Sequence, residues 1–161
     1  MRDVAVAACF DNCFLGTHNT RMIGGAQEPL YLPADAGNPA CLYYREDFAA
    51  SALHEAAHWC IAGVQRREQT DFGYLYEPPP RSSDAQQRFF CAEVRTQTLE
   101  SLFAAAAGLP FRPSADNLDA DVDQFVAALG ASLVEVQSWV AGSADDRARR
   151  FISALTEDAR G

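Results

Sequence analysis

Lysine is missing from this chain of 161 residues, and all thirteen of its basic residues are arginines. Without a lysine amine, covalent catalysis through an enzyme-bound Schiff base is excluded. The formal net charge of −9 is typical neither of a surface that follows nucleic-acid phosphates nor of a polybasic membrane anchor. We therefore expect no direct nucleic-acid partner.

Long hydrophobic runs are absent as well, since the alanine-rich stretch 102–109 is too short to cross a bilayer. The N-terminus lacks the pattern of a secretory signal, so we expect no membrane partner. The five cysteines include no Cys-x-x-Cys pair, which favours a reduced, cytoplasmic protein. Cys9 and Cys13 lie one helical turn apart and are interpreted as buried side chains rather than metal ligands.

The length predicts a single domain over residues 1–161 with a core of ordinary size. Hydrophobic periodicity and turn residues predict about three short strands among four or five helices. The fold class is therefore α+β, a small mixed sheet covered by helices. The predicted helices cover 3–14, 47–62, about 83–107, 125–140 and 151–155, and the extended segments cover 30–32, 41–44 and 72–76. A break is expected at Gly24-Gly25.

The motif with the clearest chemistry is His54-Glu55-Ala56-Ala57-His58, which contains two of the three histidines. Residues four apart on a helix share a face, so both imidazoles can bind one cation while Glu55 projects from the same turn. The alternative is a pair of histidines on an exposed helix face. Because the pattern is rare by chance in a chain with so few histidines, we predict a metal site.

A catalytic metal needs a third protein ligand. Glu93 is the preferred candidate, because the helix that carries it can cross the histidine helix and complete a two-histidine, one-carboxylate triad. Asp71 and then Glu100 are alternative carboxylates. His18 is a further candidate, predicted to lie in a loop. Spacing alone leaves Glu93 evenly balanced between a ligand and a solvated helix residue.

The chain resembles the bacterial elongation factor P hydroxylase family over nearly its whole length. The matching segments are Asn19–Arg21, Glu28-Pro29, Tyr31–Asp35, Ala50–Ala52, His54-Glu55, His58–Gly63, Arg66–Glu68, Asp71–Tyr74, Glu93-Val94, Gln97, Ala106–Gly108, Asp116–Leu118 and Arg150–Ile152. The segment Glu77–Pro80, a short N-terminal segment and an early C-terminus depart from the family pattern. These matches are far more specific than the pentapeptide, which also occurs in zinc peptidases.

The resemblance implies a non-haem iron hydroxylase that acts on the β-lysylated lysine of translation elongation factor P, with dioxygen as cosubstrate. The family's ligands fall on His54, His58 and Glu93. The implied fold is similar to a metal-dependent ribosomal-RNA endoribonuclease and is not a double-stranded β-helix.

The residues expected around the metal ion are Glu55, as a supporting or catalytic carboxylate, and the substrate contacts Asp71, Tyr74, Tyr76 and Asn117. Arg66 and Arg67 are candidates for docking an acidic protein. The rival hypothesis is a zinc-dependent metallopeptidase in which Glu55 is the general base. A non-catalytic protein that binds elongation factor P is a third.

Overall fold

A computed structural model describes residues 1–74, 81–115, 118 and 121–161. Its helices and strands, in chain order, are α1 (Asp3–His18), β1 (Thr20–Ala26), β2 (Leu30–Leu32), β3 (Ala40–Arg45), α2 (Ala49–Ile61), α3 (Val64–Arg67), a 3₁₀ turn (Thr70–Gly73), α4 (Ser83–Ala106), α5 (Val122–Gly142) and α6 (Arg147–Arg160). The α+β prediction is confirmed. The described residues contain no double-stranded β-helix.

The sheet has three strands in the order β1-β3-β2, with β1 parallel and β2 antiparallel to β3. It is therefore mixed, as predicted, although one of its strands differs from the prediction. The segment 72–76 was expected to be extended, but Thr70–Gly73 forms a 3₁₀ turn with left-handed backbone at Asp71 and Phe72. Residues 75–76 lie outside the described residues.

β1 was not predicted from the sequence, and it contains Gly24-Gly25, where a break in the chain was expected. Gly24 is needed there because a β-carbon would lie 2.5 Å from the hydroxyl oxygen of the buried Tyr44. Gly25 has φ +88°, a conformation that suits glycine, and the register with β3 shifts between Ile23 and Ala26. The two glycines therefore form part of an irregular strand instead of ending one.

The core lies between the sheet and the helices. α1 packs on β1 and α2 on β3, while α4 crosses α2 and also contacts α5 and α6. The inward face of α2 consists mainly of small apolar side chains, and its largest residue, Trp59, is fully buried. Small residues such as Ala52 and Ala56 let neighbouring elements approach α2 closely, and its histidines face the side that α4 covers.

Within the described part of the chain, α5 is the one helix that is long and apolar enough to cross a membrane, by length and composition alone. The sequence shows no uninterrupted apolar run here, because α5 contains polar residues such as Gln124 and Glu135. Phe125, Leu129 and Val136 are buried against the rest of the protein.

Candidate metal centre

His54 and His58 point toward each other from consecutive turns of α2. Their Nε2 atoms are 3.1 Å apart and their rings are nearly perpendicular, at 81°. Two neutral imidazoles cannot present lone pairs to each other at this distance without a proton or a cation between them. The pair therefore places both Nε2 atoms where one proton or one cation can lie between them, as the four-residue spacing predicted.

Glu93 reaches the same point from the middle of α4. Its Oε1 atom lies 3.4 Å from His58 Nε2 and its Oε2 atom 3.9 Å from His54 Nε2. One ligand atom from each of the three residues falls within 4.8 Å of the other two. A divalent ion in such a triad keeps several positions open for other ligands. The donor set of two imidazoles and one carboxylate therefore fits a catalytic metal ion.

Three further side chains of α4 contact the cluster from behind. Glu100 Oε2 lies 2.8 Å from His54 Nδ1, and Thr96 Oγ1 lies 3.5 Å from His58 Nδ1. Gln97 Nε2 donates to Glu93 Oε2 at 3.1 Å. Neither Thr96 nor Gln97 had a predicted role, and Glu100 was predicted only as an alternative ligand. Their spacing of three, four and seven residues from Glu93 is the helical signal that points to them.

Charge in the cluster is distributed between the imidazoles and the carboxylates. Burial would lower the pKa of His54, but the hydrogen bond with Glu100 and the carboxylates of Glu55 and Glu93 outweigh it and raise that pKa to about 9. Burial would raise the pKa of Glu93, yet both histidines and Gln97 lower it to about 2. Without a metal ion, the cluster therefore holds a proton in the place where a cation would bind.

Glu55 faces the same cluster without joining it. Burial raises the pKa of its carboxyl group, and the charges of His58 and His54 act in the opposite direction. Among the described residues no hydrogen bond is made to its carboxylate. Glu55 is therefore free to contact a group that enters the site.

The predicted substrate contacts are only partly described. Asp71 is exposed and its Oδ1 atom accepts the backbone N–H of Tyr31 at 2.9 Å, so it anchors β2 and lies outside the metal cluster. The ring of Tyr74, 45% exposed, lies 6.1 Å from the ring of His58. Tyr76 and Asn117 lie outside the described residues, and their roles stay predictions.

The 3₁₀ turn that carries Asp71 has a strained backbone. Asp71 and Phe72 have φ values of 48° and 58°, which costs of order 1–3 kcal/mol for each non-glycine residue. Phe72 is buried in a parallel stack on Tyr31, with ring centroids 4.3 Å apart. The stack and the Asp71 hydrogen bond hold this turn beside His58.

Other candidates from the sequence lie away from the cluster. His18 is the last residue of α1, not part of a loop as expected, and its ring packs edge-on against Trp59. Arg67 donates to the carbonyl of Ala62 at 2.8 Å, so it caps α2. Arg66 lies over the ring of Tyr74, at 4.7 Å. The thiols of Cys9 and Cys13 face α6; Cys9 is buried as predicted, whereas Cys13 is only half-buried.

Two comparisons with known proteins agree with each other. Residues 9–159 match a family model described as Elongation factor P hydroxylase. The chain is also 47% identical over 115 residues to the Elongation factor P lysine hydroxylase of Haemophilus influenzae. This alignment covers 71% of the chain and spans 65% of the length of that relative.

Proposed function

The chain belongs to the elongation factor P hydroxylase family, and from this we propose that it adds one oxygen atom to a lysine side chain of elongation factor P in the cytoplasm. His54, His58 and Glu93 would hold the metal ion. The observation that supports this most directly is the convergence of their ligand atoms within 4.8 Å from two different helices.

We propose that the metal ion is Fe(II). Two imidazoles and one carboxylate are the ligand set of many non-haem iron oxygenases. When bound, Fe(II) would supply the activation of dioxygen, with electrons from an external donor. The role of the chain's own residues is to hold the ion, keep the substrate in position and exclude other reactions.

The proposed substrate is a lysine that already carries a β-lysyl group, a modification that brings ammonium groups to the site. Glu55, whose carboxylate has no hydrogen-bond partner in the described part of the chain, would bind one of them. Asp71 lies near enough to Glu55 for their charges to interact. The exposed ring of Tyr74 offers a face for the methylene groups. Tyr76 and Asn117 complete the proposed substrate contacts.

The test is mass spectrometry of β-lysylated elongation factor P after incubation with the Fe(II)-loaded protein, ascorbate and air. A gain of one oxygen atom on the modified lysine is the expected result, and no gain is expected without air. The Glu93→Ala variant should be inactive, whereas Glu135→Ala, which changes an exposed glutamate of α5, should retain activity. Unmodified elongation factor P tests whether the β-lysyl group is required.

The unpartnered carboxylate of Glu55 also suits a zinc-dependent metallopeptidase, in which it would be the general base for water. Metal content and product separate the two functions. Peptide cleavage by the zinc-loaded protein, with no oxygen transfer by the iron-loaded protein, would favour the peptidase.

A further inference from the structure

Glu100 is a carboxylate in an unusual position. It lies in the interior of the long helix α4 and is only 8% exposed, although an ionised carboxylate is costly to bury without partners. Among the described residues its hydrogen-bond partner is His54, with 2.8 Å between Glu100 Oε2 and His54 Nδ1. The contact that compensates its burial is therefore made to a member of the metal cluster.

This contact determines which nitrogen of His54 carries the proton. An ionised carboxylate can only accept hydrogen bonds, so Nδ1 must be the donor. In the neutral ring Nε2 is then left with its lone pair, and Nε2 is the atom that faces Glu93 and His58. The geometry points to Glu100 as a positioning residue that fixes the tautomer and the orientation of His54 for metal binding.

Glu100 does not serve as a metal ligand in this arrangement. It binds one edge of the His54 ring, and the cluster lies at the opposite edge, so one ion cannot contact both Nε2 and the Glu100 carboxylate. This excludes the ligand role that spacing had left open for Glu100. The group of convergent ligand atoms accordingly contains His54, His58 and Glu93 without it.

His58 provides a contrast within the same site. Its Nδ1 atom lies 3.5 Å from the hydroxyl of Thr96, a group that can either donate or accept. That longer contact leaves the tautomer of His58 open, so the two ligands are held differently. A carboxylate behind a ligand imidazole also increases the basicity of the ligand nitrogen, which makes His54 the stronger donor of the pair.

The inference rests on the metal site of the proposed function, so its test measures metal binding and not hydroxylation. We would determine the Kd for Mn²⁺ of the wild-type chain, of Glu100→Leu and of Glu100→Gln. Loss of such a partner typically weakens metal binding about 10–100-fold, and we expect this for Glu100→Leu. Glu100→Gln keeps the volume and an acceptor oxygen without the charge, so a smaller weakening is expected.

Thr98→Val is the matched control, because Thr98 is also buried on α4 and, among the described residues, its hydroxyl donates only to the carbonyl of Val94 in the same helix. A general loss of packing would weaken both variants, whereas the proposed role predicts unchanged Mn²⁺ affinity in Thr98→Val. The hydrogen bond from His54 Nδ1 to Glu100 is measured directly by ¹H–¹⁵N NMR of the Zn²⁺-loaded protein. We expect a slowly exchanging Nδ1 proton on His54 that is lost in Glu100→Leu, with the signals of His58 retained.

Unchanged Mn²⁺ affinity in both Glu100 variants, with the His54 Nδ1 proton retained, would overturn the inference and leave the metal site intact. Should Glu100→Leu fail to fold, Glu100→Gln alone decides between these results. If the wild type binds no Mn²⁺, or binds it as well after Glu93→Ala, the metal site of the proposed function fails and this role fails with it.

Discussion

Each of the three candidate ligands is supported by a side chain of different chemistry. A carboxylate stands behind His54, a hydroxyl behind His58 and an amide behind Glu93. Ligands held in this way need little reorganisation when an ion arrives, because their orientations are already fixed. The supporting side chains, Thr96, Gln97 and Glu100, form one stripe along α4. A single helix therefore determines how rigid the site is.

Gln97 connects this stripe to the chain beyond α4. Its amide donates to the carbonyl of Ser114 at 2.7 Å and accepts the Ser114 N–H at 2.9 Å, besides its bond to Glu93. Replacement by methionine keeps the length but removes the side-chain partner of Glu93 and of the Ser114 backbone. For Gln97→Met we predict faster amide hydrogen exchange at Ser114 and about tenfold weaker Mn²⁺ binding. Gln137→Met, at an exposed position of α5, should change neither measurement.

The role of Glu55 is open to a kinetic test. If its carboxylate binds a substrate ammonium, Glu55→Gln should raise KM for β-lysylated elongation factor P by roughly 10-fold, equivalent to about 1.4 kcal/mol, with a smaller change in kcat. Mn²⁺ affinity should stay close to that of the wild type, because Glu55 is not in the ligand group. A loss confined to kcat would contradict this assignment and favour a proton-transfer role.

Among the elements, α6 holds the others together through the arginines of its first turn. Arg147 donates to the carbonyls of Trp59, Cys60 and Ala62 at the end of α2. Arg149 donates to the last carbonyls of α5, and Arg150 to the carbonyl of Cys13 in α1. Helix C-termini carry unpaired carbonyls and partial negative charge, which a planar guanidinium can satisfy several at a time.

Arg147 is the most consequential of these arginines, because it is 2% exposed and also pairs with Asp145 at 2.6 Å. Replacement by methionine removes the side-chain donor to the carbonyls of Trp59 and Cys60, while Arg67 still donates to that of Ala62. We expect Arg147→Met to lower the free energy of unfolding by about 1–3 kcal/mol for each buried carbonyl that loses its donor, whereas the Asp145 side chain, 43% exposed, can be solvated by water. Urea titration measures this. Arg160→Met, at the exposed end of α6, should stay within about 0.5 kcal/mol of the wild type.

The ion pair between Arg147 and Asp145 also makes the stability of the protein depend on pH under acidic conditions. The hydrogen bonds from Arg147 lower the pKa of Asp145 below its ordinary value of 3.8. A carboxyl group with a lowered folded-state pKa stabilises the protein above its ordinary pKa and loses that effect as the pH falls through the folded-state value. The stability difference between wild type and Asp145→Asn should therefore be full at pH 7 and shrink below pH 3.8.

The sequence predicted the helices better than the strands, for a physical reason. The helices α2, α4 and α5 have periodic apolar residues and recognisable ends, which are local signals. β1 is held by parallel pairing with β3, a contact between distant residues that its glycine-rich sequence does not reveal. At Asp71 and Phe72 the error is the reverse, since a strand was predicted where the structure has a turn. Aromatic residues favour strands, and the left-handed backbone of this turn is selected by tertiary packing.

For the candidate site, the sequence predicted the pair on α2 from spacing and Glu93 from the resemblance. The sequence could not predict the supporting roles of Thr96, Gln97 and Glu100. A polar residue in a helix is expected to face solvent unless its neighbour in the fold is known. Gln97 and Thr96 are 3% and 2% exposed, because Thr96 contacts α2 and Gln97 contacts the chain beyond α4, and the sequence reveals neither contact. The crossing of α2 and α4 also links the site to the stability of the whole molecule.

The candidate ligands come from α2 and α4, the two helices that pack against each other in the middle of the molecule. An ion bound by both helices must be released when they separate, so binding should stabilise the native state as a whole. At Mn²⁺ concentrations 100 times the Kd, linkage predicts a gain of about 2.7 kcal/mol. For a chain of this size that corresponds to a rise in Tm of roughly 5–11 °C.

Calorimetry with and without Mn²⁺ measures this gain, and a chelator should reverse it. The Glu93→Ala variant should show no metal-dependent rise in Tm, because one helix no longer contributes a ligand. Glu135→Ala removes a glutamate from the exposed side of α5 and should keep the full rise. An equal rise in Glu93→Ala would mean that the ion stabilises the protein elsewhere on its acidic surface, and the link between the α2–α4 crossing and metal binding would then be wrong.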